Sequence, residues 1–400
     1  MRRGVWLGAF LLLGLALGAA GGVYADQAYP DQVPLIAQPS TPANLDQATF
    51  QRALRVIQND YYNPKLDYKA LSQGTVRGLV QGLNDRFSYY LDPTEYQRQQ
   101  EGYAGRYVGI GVEVNSTGEY PVIDAVFPDS PAAKSGVQVG DVVIKVDGKD
   151  IHGLGIDQTS NLIRGPAGTT VVITVDRHGV QQDLSVQREP ISIPSVRSAT
   201  LEGGVLYIRI YSFGDSTAND FDKALKAGLP GARGVVVDLR DDGGGFIDAA
   251  QNVVSQFVGS GEVFELHDHA GHVDRRDVLG SPLDPSLPLV MLVNANSASA
   301  SEIVAGSLEK HGRAKLVGTV TYGKGSVQQD FPLPDGSDLH ITIRHWFLPD
   351  GSSVEQKGLT PDDAVQLADP ADMYDVSKPA QGHGKDAQLI AALGLLTAAP

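Results

Sequence analysis

Four apolar runs of strand length alternate with helical patterns in the second half of this sequence. The runs are residues 205–210, 234–239, 289–293 and 315–317, and the helical patterns are 218–227, 247–257 and 301–310. Short apolar runs of this kind indicate buried strands. Because strands and helices take turns along the chain, the pattern predicts a layered α/β domain, which we place at residues 190–370.

Closely spaced strand and turn patterns occupy residues 103–189. Ser130 followed by Pro131 indicates an N-cap and the first residue of a short helix, and a second helical pattern covers 156–163. A hairpin turn is expected near His178 and Gly179. These elements predict a small α+β module inserted ahead of the α/β domain.

The ends of the chain hold four further segments. Residues 1–25 combine two arginines with an uncharged apolar run, which predicts a signal peptide or an uncleaved membrane anchor. Either one places the body of the protein outside the cytoplasm, in the periplasm or secreted, with membrane contact only through this segment. Residues 26–44 are a polar, proline-containing linker, and 45–102 a helical N-terminal segment. Residues 371–400 are expected to contain a polar stretch and a final helix.

Composition excludes several classes of function. The formal net charge is −15, so the chain lacks the basic surface that binds nucleic-acid phosphates. It has no cysteine, which excludes disulfides, thiolate metal sites and a cysteine nucleophile. The best metal candidate is the group around His267, Asp268 and His272, and we interpret it as a polar loop. No metal or cofactor is predicted.

Two places where a predicted strand gives way to a helix carry residues of chemical interest. Segment 238–245 ends in three glycines, whose N–H groups are able to face a developing oxyanion, although a tight turn explains them equally well. Segment 294–302 places serines at a helix N-terminus, where negative charge is favoured. The serines are Ser297, Ser299 and Ser301. Ordinary helix capping explains the same pattern, so the residues alone leave the choice open.

A third segment, 322–328, places Lys324 between two glycines. In a strand Lys324 would share a face with Ser326 and Gln328, and in a helix it would still neighbour Gln328. Taken alone, the segment is also typical of a loop with a solvated lysine.

In this order and spacing, the three segments resemble those of the C-terminal processing peptidases, serine proteases that use a Ser–Lys dyad. The resemblance extends from about Leu45 and includes the run 87–91, the module around 109–111, which is similar to a PDZ domain, and the run 358–362. In that family the nucleophile heads a Ser-Ala-Ser-Glu run and the base is the lysine of Gly-Lys-Gly. The 25-residue interval from Ser299 to Lys324 matches the family pattern, whereas Ser297 and Ser301 do not match it.

The resemblance implies further site residues. Gln328 corresponds to the family's third residue, with the expected role of orienting the amine of Lys324 by hydrogen bonding. The expected oxyanion donors are the backbone N–H groups of Ala300 and Gly244. One position departs from the family pattern, because relatives usually have asparagine where this chain has Asp242.

The PDZ-like module implies a substrate class. In such modules an extended peptide adds as a strand, and its terminal carboxylate binds backbone N–H groups of the glycine-bearing loop. The loop residues are Val108, Gly109, Ile110 and Gly111, with Ile110 expected to receive an apolar C-terminal side chain. Substrates would be proteins or peptides with apolar C-termini, and an activating adaptor protein is compatible with the family. Arg164 is the candidate residue for coupling the module to the protease, and a solvated arginine at a helix end explains it as well.

The residue types fit an acyl-transfer mechanism. A lysine with a pKa of ~10.4 holds its proton at neutral pH, and only burial that lowers its pKa to about 7–8 makes it a general base. Such a lysine would activate the hydroxyl of Ser299 for attack on a peptide carbonyl.

Competing functions have weaker support. No Gly-x-Ser-x-Gly elbow accompanies a histidine, as a Ser–His–Asp hydrolase would need. A Ser-x-x-Lys match at 307–310 follows the Lys-Ser-Gly at 134–136 in the chain, the wrong order for penicillin-binding enzymes. The remaining alternative is a secreted peptide-binding scaffold that is catalytically inactive.

Overall fold

The computed structural model describes residues 46–115, 118–284, 286–378 and 382–398. The signal peptide or anchor expected at 1–25 and the linker at 26–44 lie outside the described residues. The described residues divide into two units, one up to residue 71 and one from residue 72 onward. In the first unit, helix α1 (Gln47–Asp60) is capped by Asp46, whose carboxylate accepts a hydrogen bond from the Thr49 amide at 3.0 Å. Helix α2 (Tyr68–Gln81) begins in the first unit and ends in the second.

A short strand and a capped helix lead into the rest of the second unit. Strand β1 (Tyr89–Leu91) is followed by helix α3 (Pro93–Tyr103). Asp92 and Glu95 form a capping box at the start of α3, which satisfies amides that have no partner within the helix. The sequence predicts a helical segment at 45–102, which α1 and α2 confirm, but it does not predict β1 or α3 individually.

An antiparallel sheet forms the module that follows. Its elements are β2 (Arg106–Gly109), β3 (Val112–Asn115), β4 (Val122–Val126), α4 (Pro131–Lys134), β5 (Val142–Val146), β6 (Lys149–Asp150), α5 (Ile156–Ile163), β7 (Thr170–Arg177), β8 (Val180–Gln187) and β9 (Glu189–Ser192). The sheet order is β3-β4-β5-β7-β8, with β6 beside β5, and β2 pairs with β9. The predicted cap at Ser130, helix 156–163 and turn near His178 are confirmed.

The α/β domain completes the chain. Its elements are β10 (Val196–Leu201), β11 (Val205–Ile210), α6 (Thr217–Gly228), β12 (Gly234–Asp238), α7 (Ile247–Ser255), β13 (Glu262–Asp268), β14 (Val273–Asp277), β15 (Leu289–Val293), α8 (Ala300–Lys310), β16 (Lys315–Gly318), β17 (Ser326–Pro332), β18 (Asp338–Phe347), β19 (Asp363–Ala364), a 3-10 turn (Pro370–Asp372) and α9 (Ala387–Ala398). The central sheet has the order β10-β11-β12-β15-β16-β19. Its pairs are parallel except β10 with β11. The predicted layered α/β domain is confirmed, and its predicted elements lie within two residues of those observed.

Helices cover both faces of the central sheet. Along β11, Leu206 and Ile208 pack with α6, α7 and α8 on one face, while Val205 and Tyr207 pack with α9 on the other. Because successive side chains of a strand point to opposite faces, covering both faces requires an uninterrupted apolar run. This is the physical reason for the apolar runs in the sequence.

A second sheet was not predicted from the sequence. It has the order β1-β18-β13-β14, with β17 paired to β18. Residues 267 and 268, which we interpreted as part of a polar loop, instead end β13, where they pair with β18. One face of this sheet meets solvent, as the mixed burial of β18 indicates. Its strands therefore contain polar residues and lack the apolar runs by which the central strands were predicted.

The last helix is joined to the central sheet by a buried ion network. Arg240, directly after β12, donates to Asp238 at 2.6 Å and to Asp386 at 2.9 Å, and all three side chains are buried. Leu389 and Leu396 of α9 pack on the sheet. Breaking such a buried pair leaves an uncompensated charge, so the network holds α9 in place.

Within the described ranges, no helix has the length and apolar character needed to cross a membrane.

Candidate active site

The three chemically interesting segments meet at one edge of the central sheet. They follow β12, β15 and β16, which are parallel neighbours. Since the carboxyl ends of parallel strands lie at the same edge, the loops after these strands are brought together. Ser299, Lys324, Gln328 and Gly244 all line one cavity of about 670 Å³.

Ser299 occupies the N-cap position of α8. Its backbone has φ 57° and ψ −114°, which is rare for a residue with a side chain, and the residue is 7% exposed. Ala300 is the first helical residue, so its amide has no partner within the helix. A strained, nearly buried hydroxyl at the positive end of a helix dipole is well suited to forming an oxyanion.

Lys324 lies half-buried against an aromatic ring. Its Nζ is 4.9 Å from the centroid of the Phe87 ring. Burial lowers the pKa of the Lys324 amine, although the nearby carboxylates of Asp85, Glu355 and Glu302 act in the opposite direction. The backbone of Lys324 is held in place, because its carbonyl accepts a hydrogen bond from Trp346 Nε1 at 3.0 Å. The segment therefore carries a constrained lysine rather than a solvated one.

Glu302 connects the serine segment to the lysine segment. Its Oε2 accepts hydrogen bonds from the amides of Ser299 and Lys324, both at 2.9 Å. Its Oε1 accepts from the Gly323 amide at 2.8 Å and from Thr321 Oγ1 at 2.5 Å. The side chain is fully buried. The sequence shows Glu302 only as part of a capping pattern, and its bonds to the lysine loop require the tertiary fold.

Gln328 lines the cavity, but its amide nitrogen is bonded elsewhere. Gln328 Nε2 donates to Ser326 Oγ at 2.9 Å and to Thr342 Oγ1 at 3.0 Å. Thr342 Oγ1 in turn donates to Asp85 Oδ2 at 2.6 Å. In this structure hydroxyls of β17 and β18 hold the glutamine, rather than the amine of Lys324 that we expected to be its partner.

Gly244 lies against the nucleophile segment. Its φ is +94°, and a Cβ added there would lie 2.6 Å from Ala298 O, 2.9 Å from Ala300 N and 2.9 Å from Ser299 Cβ. The amide of Gly244 donates to Asp242 Oδ1 at 2.8 Å, so a carboxyl group already occupies the expected oxyanion donor. Asp242 is fully buried, and burial raises its pKa to about 7.

The close fit around Gly244 makes a specific prediction. Gly244→Ala should lower kcat/KM for peptide cleavage by about 100-fold, because both the strained φ and the added methyl group displace the Ser299 segment. Gly243→Ala is the matched control, since a Cβ at Gly243 has no neighbour within 4 Å. Activity within threefold of the parent for Gly244→Ala would show that the fit is not needed.

The residues predicted for peptide binding lie apart from this cavity, in the module of β2 to β9. Val108 and Gly109 belong to β2, where they pair with β9. Gly111 has φ +78° and no room for a side chain against Ser130. Ile110 is 1% exposed and packs in the module's apolar core. The expectation that its side chain is open to an apolar C-terminal residue is therefore wrong, because the side chain is used for packing.

Arg164 contacts the segment that precedes the module. Its Nη1 lies 3.4 Å from Glu101 Oε2 on α3, and its Cζ lies 4.6 Å from the centroid of the Tyr107 ring. The side chain is therefore paired, although about a third of it remains exposed.

Among the described side chains, no group of three or more histidine, aspartate or glutamate residues is arranged to hold a metal ion.

Family models match both parts of the chain. The model of peptidase family S41 matches residues 204–365, and that of the PDZ domain matches 122–177. A carboxy-terminal-processing protease of Bartonella bacilliformis is 34% identical over 375 residues, which cover 88% of this chain and 85% of that protein. A probable CtpA-like serine protease of Staphylococcus haemolyticus is 35% identical over 322 residues, which cover 79% of this chain and 64% of that protein.

Solved structures show the same fold. The photosystem II D1 C-terminal processing protease has a TM-score of 0.52 at 27% identity, covering 86% of this chain and 99% of that one. A putative S41 protease from Bacteroides fragilis has a TM-score of 0.53 at 16% identity, covering 90% of this chain and 99% of that one, a likeness of fold alone. The resemblance drawn from the sequence is thus confirmed, and the fold is an α/β protease core with a PDZ domain and a helical N-terminal segment. The chain therefore belongs to the carboxy-terminal-processing proteases of peptidase family S41 and is a serine peptidase.

Proposed function

We propose that this peptidase cleaves proteins with a dyad in which Ser299 is the nucleophile and Lys324 is the general base. The observation that carries the proposal is that a hydroxyl at a helix N-terminus and a half-buried lysine amine line the same cavity, where burial lowers the pKa of that amine. A neutral amine at this position can accept a proton, which a solvated lysine cannot do at neutral pH.

The proposed reaction has two halves. The neutral amine of Lys324 takes the proton of Ser299 Oγ as the oxygen attacks the substrate carbonyl, and the resulting oxyanion binds the amides of Ala300 and Gly244. The C–N bond then breaks, and Lys324 returns the proton to the leaving amine. Water attacks the acyl-enzyme with Lys324 again as base, which releases the new carboxylate and restores Ser299.

Gln328 has a supporting role in this proposal. Through Thr342, its amide is connected to the carboxylate of Asp85, one of the charges that act on Lys324. We therefore propose that Gln328 fixes the wall beside the amine, a positioning role that does not require a direct bond to Nζ.

We further propose that the PDZ domain, residues 103–189, selects substrates by an apolar free C-terminus. Strand β3 lies at one end of its sheet, where an extended peptide can add as a further strand. The backbone of residues 108–111 would bind the terminal carboxylate, and the apolar side chain would lie between β3 and α5. In the same proposal the pair between Arg164 and Glu101 couples the domain to the preceding helix, as a regulatory contact.

We place this activity outside the cytoplasm, as the leader pattern at 1–25 suggests. Protein tails are the substrates, and an adaptor protein that activates the enzyme is compatible with the PDZ arrangement. An inactive peptide-binding scaffold is not favoured, because the relatives that match most of this chain are named proteases.

Trapping the nucleophile tests the dyad, and amidating the substrate tests the PDZ proposal. A β-lactone electrophile should acylate the parent protein at one serine, and the adduct should persist in Ser297→Ala and Ser301→Ala but disappear in Ser299→Ala. In the same preparation, a peptide with an apolar free C-terminus should be cleaved with a kcat/KM at least about 10-fold above that of its C-terminal amide.

The two arms fail separately. An adduct that persists in Ser299→Ala would contradict the proposed nucleophile. Equal cleavage of the acid and the amide would leave the dyad intact but exclude carboxylate recognition.

A further inference from the structure

Asp242 presents a carboxyl group to the Gly244 amide, one of the two proposed oxyanion donors, from within the protein. Its Oδ1 accepts the amide hydrogen of Gly244 at 2.8 Å, and its Oδ2 is buried without a hydrogen-bond partner among the described residues. Its backbone carbonyl accepts from the Ala298 amide and from Ser301 Oγ, both at 3.0 Å. The carboxyl is thus fixed beside the segment that carries Ser299, with one of its two oxygens unpaired.

An ionised carboxylate at this position opposes the proposed chemistry in two ways. It holds the Gly244 amide that the oxyanion needs, and a charge-assisted hydrogen bond is stronger than a neutral one. It also places negative charge beside an oxygen that becomes negative in the transition state, in a buried setting where charges are poorly screened. A neutral carboxylic acid carries no such charge, and its oxygen holds the Gly244 amide only by a weaker, neutral hydrogen bond.

The charged groups around Asp242 do not neutralise it. Arg209 favours the anion and Asp238 opposes it, but the guanidinium of Arg209 is 3.5 Å from Asp238 Oδ2 and is shared with that residue. Arg240 is likewise occupied by the carboxylates of Asp238 and Asp386. These charges lie on β11, at and just after the end of β12, and directly before α9.

The charges on the neighbouring loops are also engaged. The carboxylate of Asp241 is bonded to Asn294 and Asn296. On α8 and the following loop, Glu302 binds backbone amides and Lys324 lines the cavity. In the part of the chain that the structure describes, no neighbouring cation is thus free to offset a charge on Asp242, and only protonation of its own carboxyl removes that charge.

We propose that Asp242 is a positioning residue that occupies the Gly244 amide in the resting enzyme and admits the oxyanion only as the neutral acid, so that activity falls when this carboxyl ionises. The inference rests on the proposed function of Ser299 and Lys324. Burial raises the pKa of Asp242 to about 7, which puts the change within the working range of the enzyme. The inhibitory charge appears as the pH rises through about 7, so this effect lowers activity on the alkaline side.

The test compares kcat for a tail peptide across pH 6 to 9 in the parent and in Asp242→Asn, which keeps an acceptor oxygen but carries no charge. The ratio of variant to parent kcat should rise at least about 10-fold over this range, with KM changed less than about threefold, because the oxyanion forms only in the transition state. The ratio cancels the titration of Lys324, which both proteins share. Asp248→Asn is the matched control, since Asp248 lines the same cavity with an exposed side chain, and its ratio should stay flat.

A ratio for Asp242→Asn that is constant with pH overturns the inference. If that variant does not fold, Asp242→Ser replaces it, and a ratio of its kcat to that of the parent that is constant with pH overturns the inference. Failure of the proposed function is distinguishable, because cleavage would then be absent or would persist in Ser299→Ala at every pH.

Discussion

Replacing Lys324 by methionine is expected to reduce kcat for peptide hydrolysis by about 10⁴-fold while leaving the fold intact. The variant keeps the volume and the apolar contacts of the side chain beside Phe87 but removes the atom that accepts the Ser299 proton. Ser299→Ala should be as severe, and the double variant should be no worse, because the two residues act as a unit. Steady-state kinetics with a tail peptide measures all three.

The matched control is Lys357→Met, which removes an exposed lysine near the same loop and should leave kcat within twofold. Lys324→Arg should not restore activity, because a guanidinium holds its proton.

Burial lowers the pKa of Lys324, so the acid limb of the parent's pH profile should lie below the usual lysine range. Because the folded protein disfavours the protonated amine, Lys324 lowers the free energy of unfolding at neutral pH. Lys324→Met should therefore raise Tm at neutral pH, and this gain should vanish at pH values above the usual lysine pKa. Retained hydrolysis by Lys324→Met would contradict the assignment.

Glu302→Ala is expected to lower the free energy of unfolding by about 3 to 5 kcal/mol and kcat by roughly 100-fold. Four donors lose their acceptor in this variant: three backbone amides and the hydroxyl of Thr321. Two of those amides belong to Ser299 and Lys324, so the loss separates the segments that carry the chemistry. Urea unfolding and steady-state kinetics measure the two effects.

Glu302→Gln should restore little of either quantity, because its NH₂ group would face donors instead of accepting from them. Glu309→Ala on the same helix is the control, since Glu309 is partly exposed and its carboxylate pairs with Lys310 at 3.6 Å. If the free energy of unfolding of Glu302→Ala lies within 1 kcal/mol of that of Glu309→Ala, the bridging role is refuted.

The sequence predicts those parts of the fold whose signal is carried by residues close together in the chain. Central strands such as 205–210 are apolar throughout because both faces are covered, and the cap at Ser130 uses neighbouring residues. Strands β13 and β18 escaped prediction because one face meets solvent, and their pairing joins residues about 80 positions apart. Periodicity alone does not reveal such a partner.

The site divides in the same way. The family pattern nominated Ser299, Lys324, Gln328 and Gly244, and all four line the cavity. It did not reveal that Glu302 bridges two loops or that Asp242 occupies the Gly244 amide, because both contacts depend on side-chain directions set by the tertiary fold. The inward packing of Ile110 was missed for the same reason.

The burial of α9 bears on how the α/β domain responds to proteolysis. Leu389 and Leu396 pack on the central sheet, and Asp386 is tied to Arg240. Because a peptidase binds its substrate as an extended chain, a cut within residues 387–398 would first require α9 to leave the sheet and the buried ion network to break. We therefore expect the folded protein to resist cleavage in this helix.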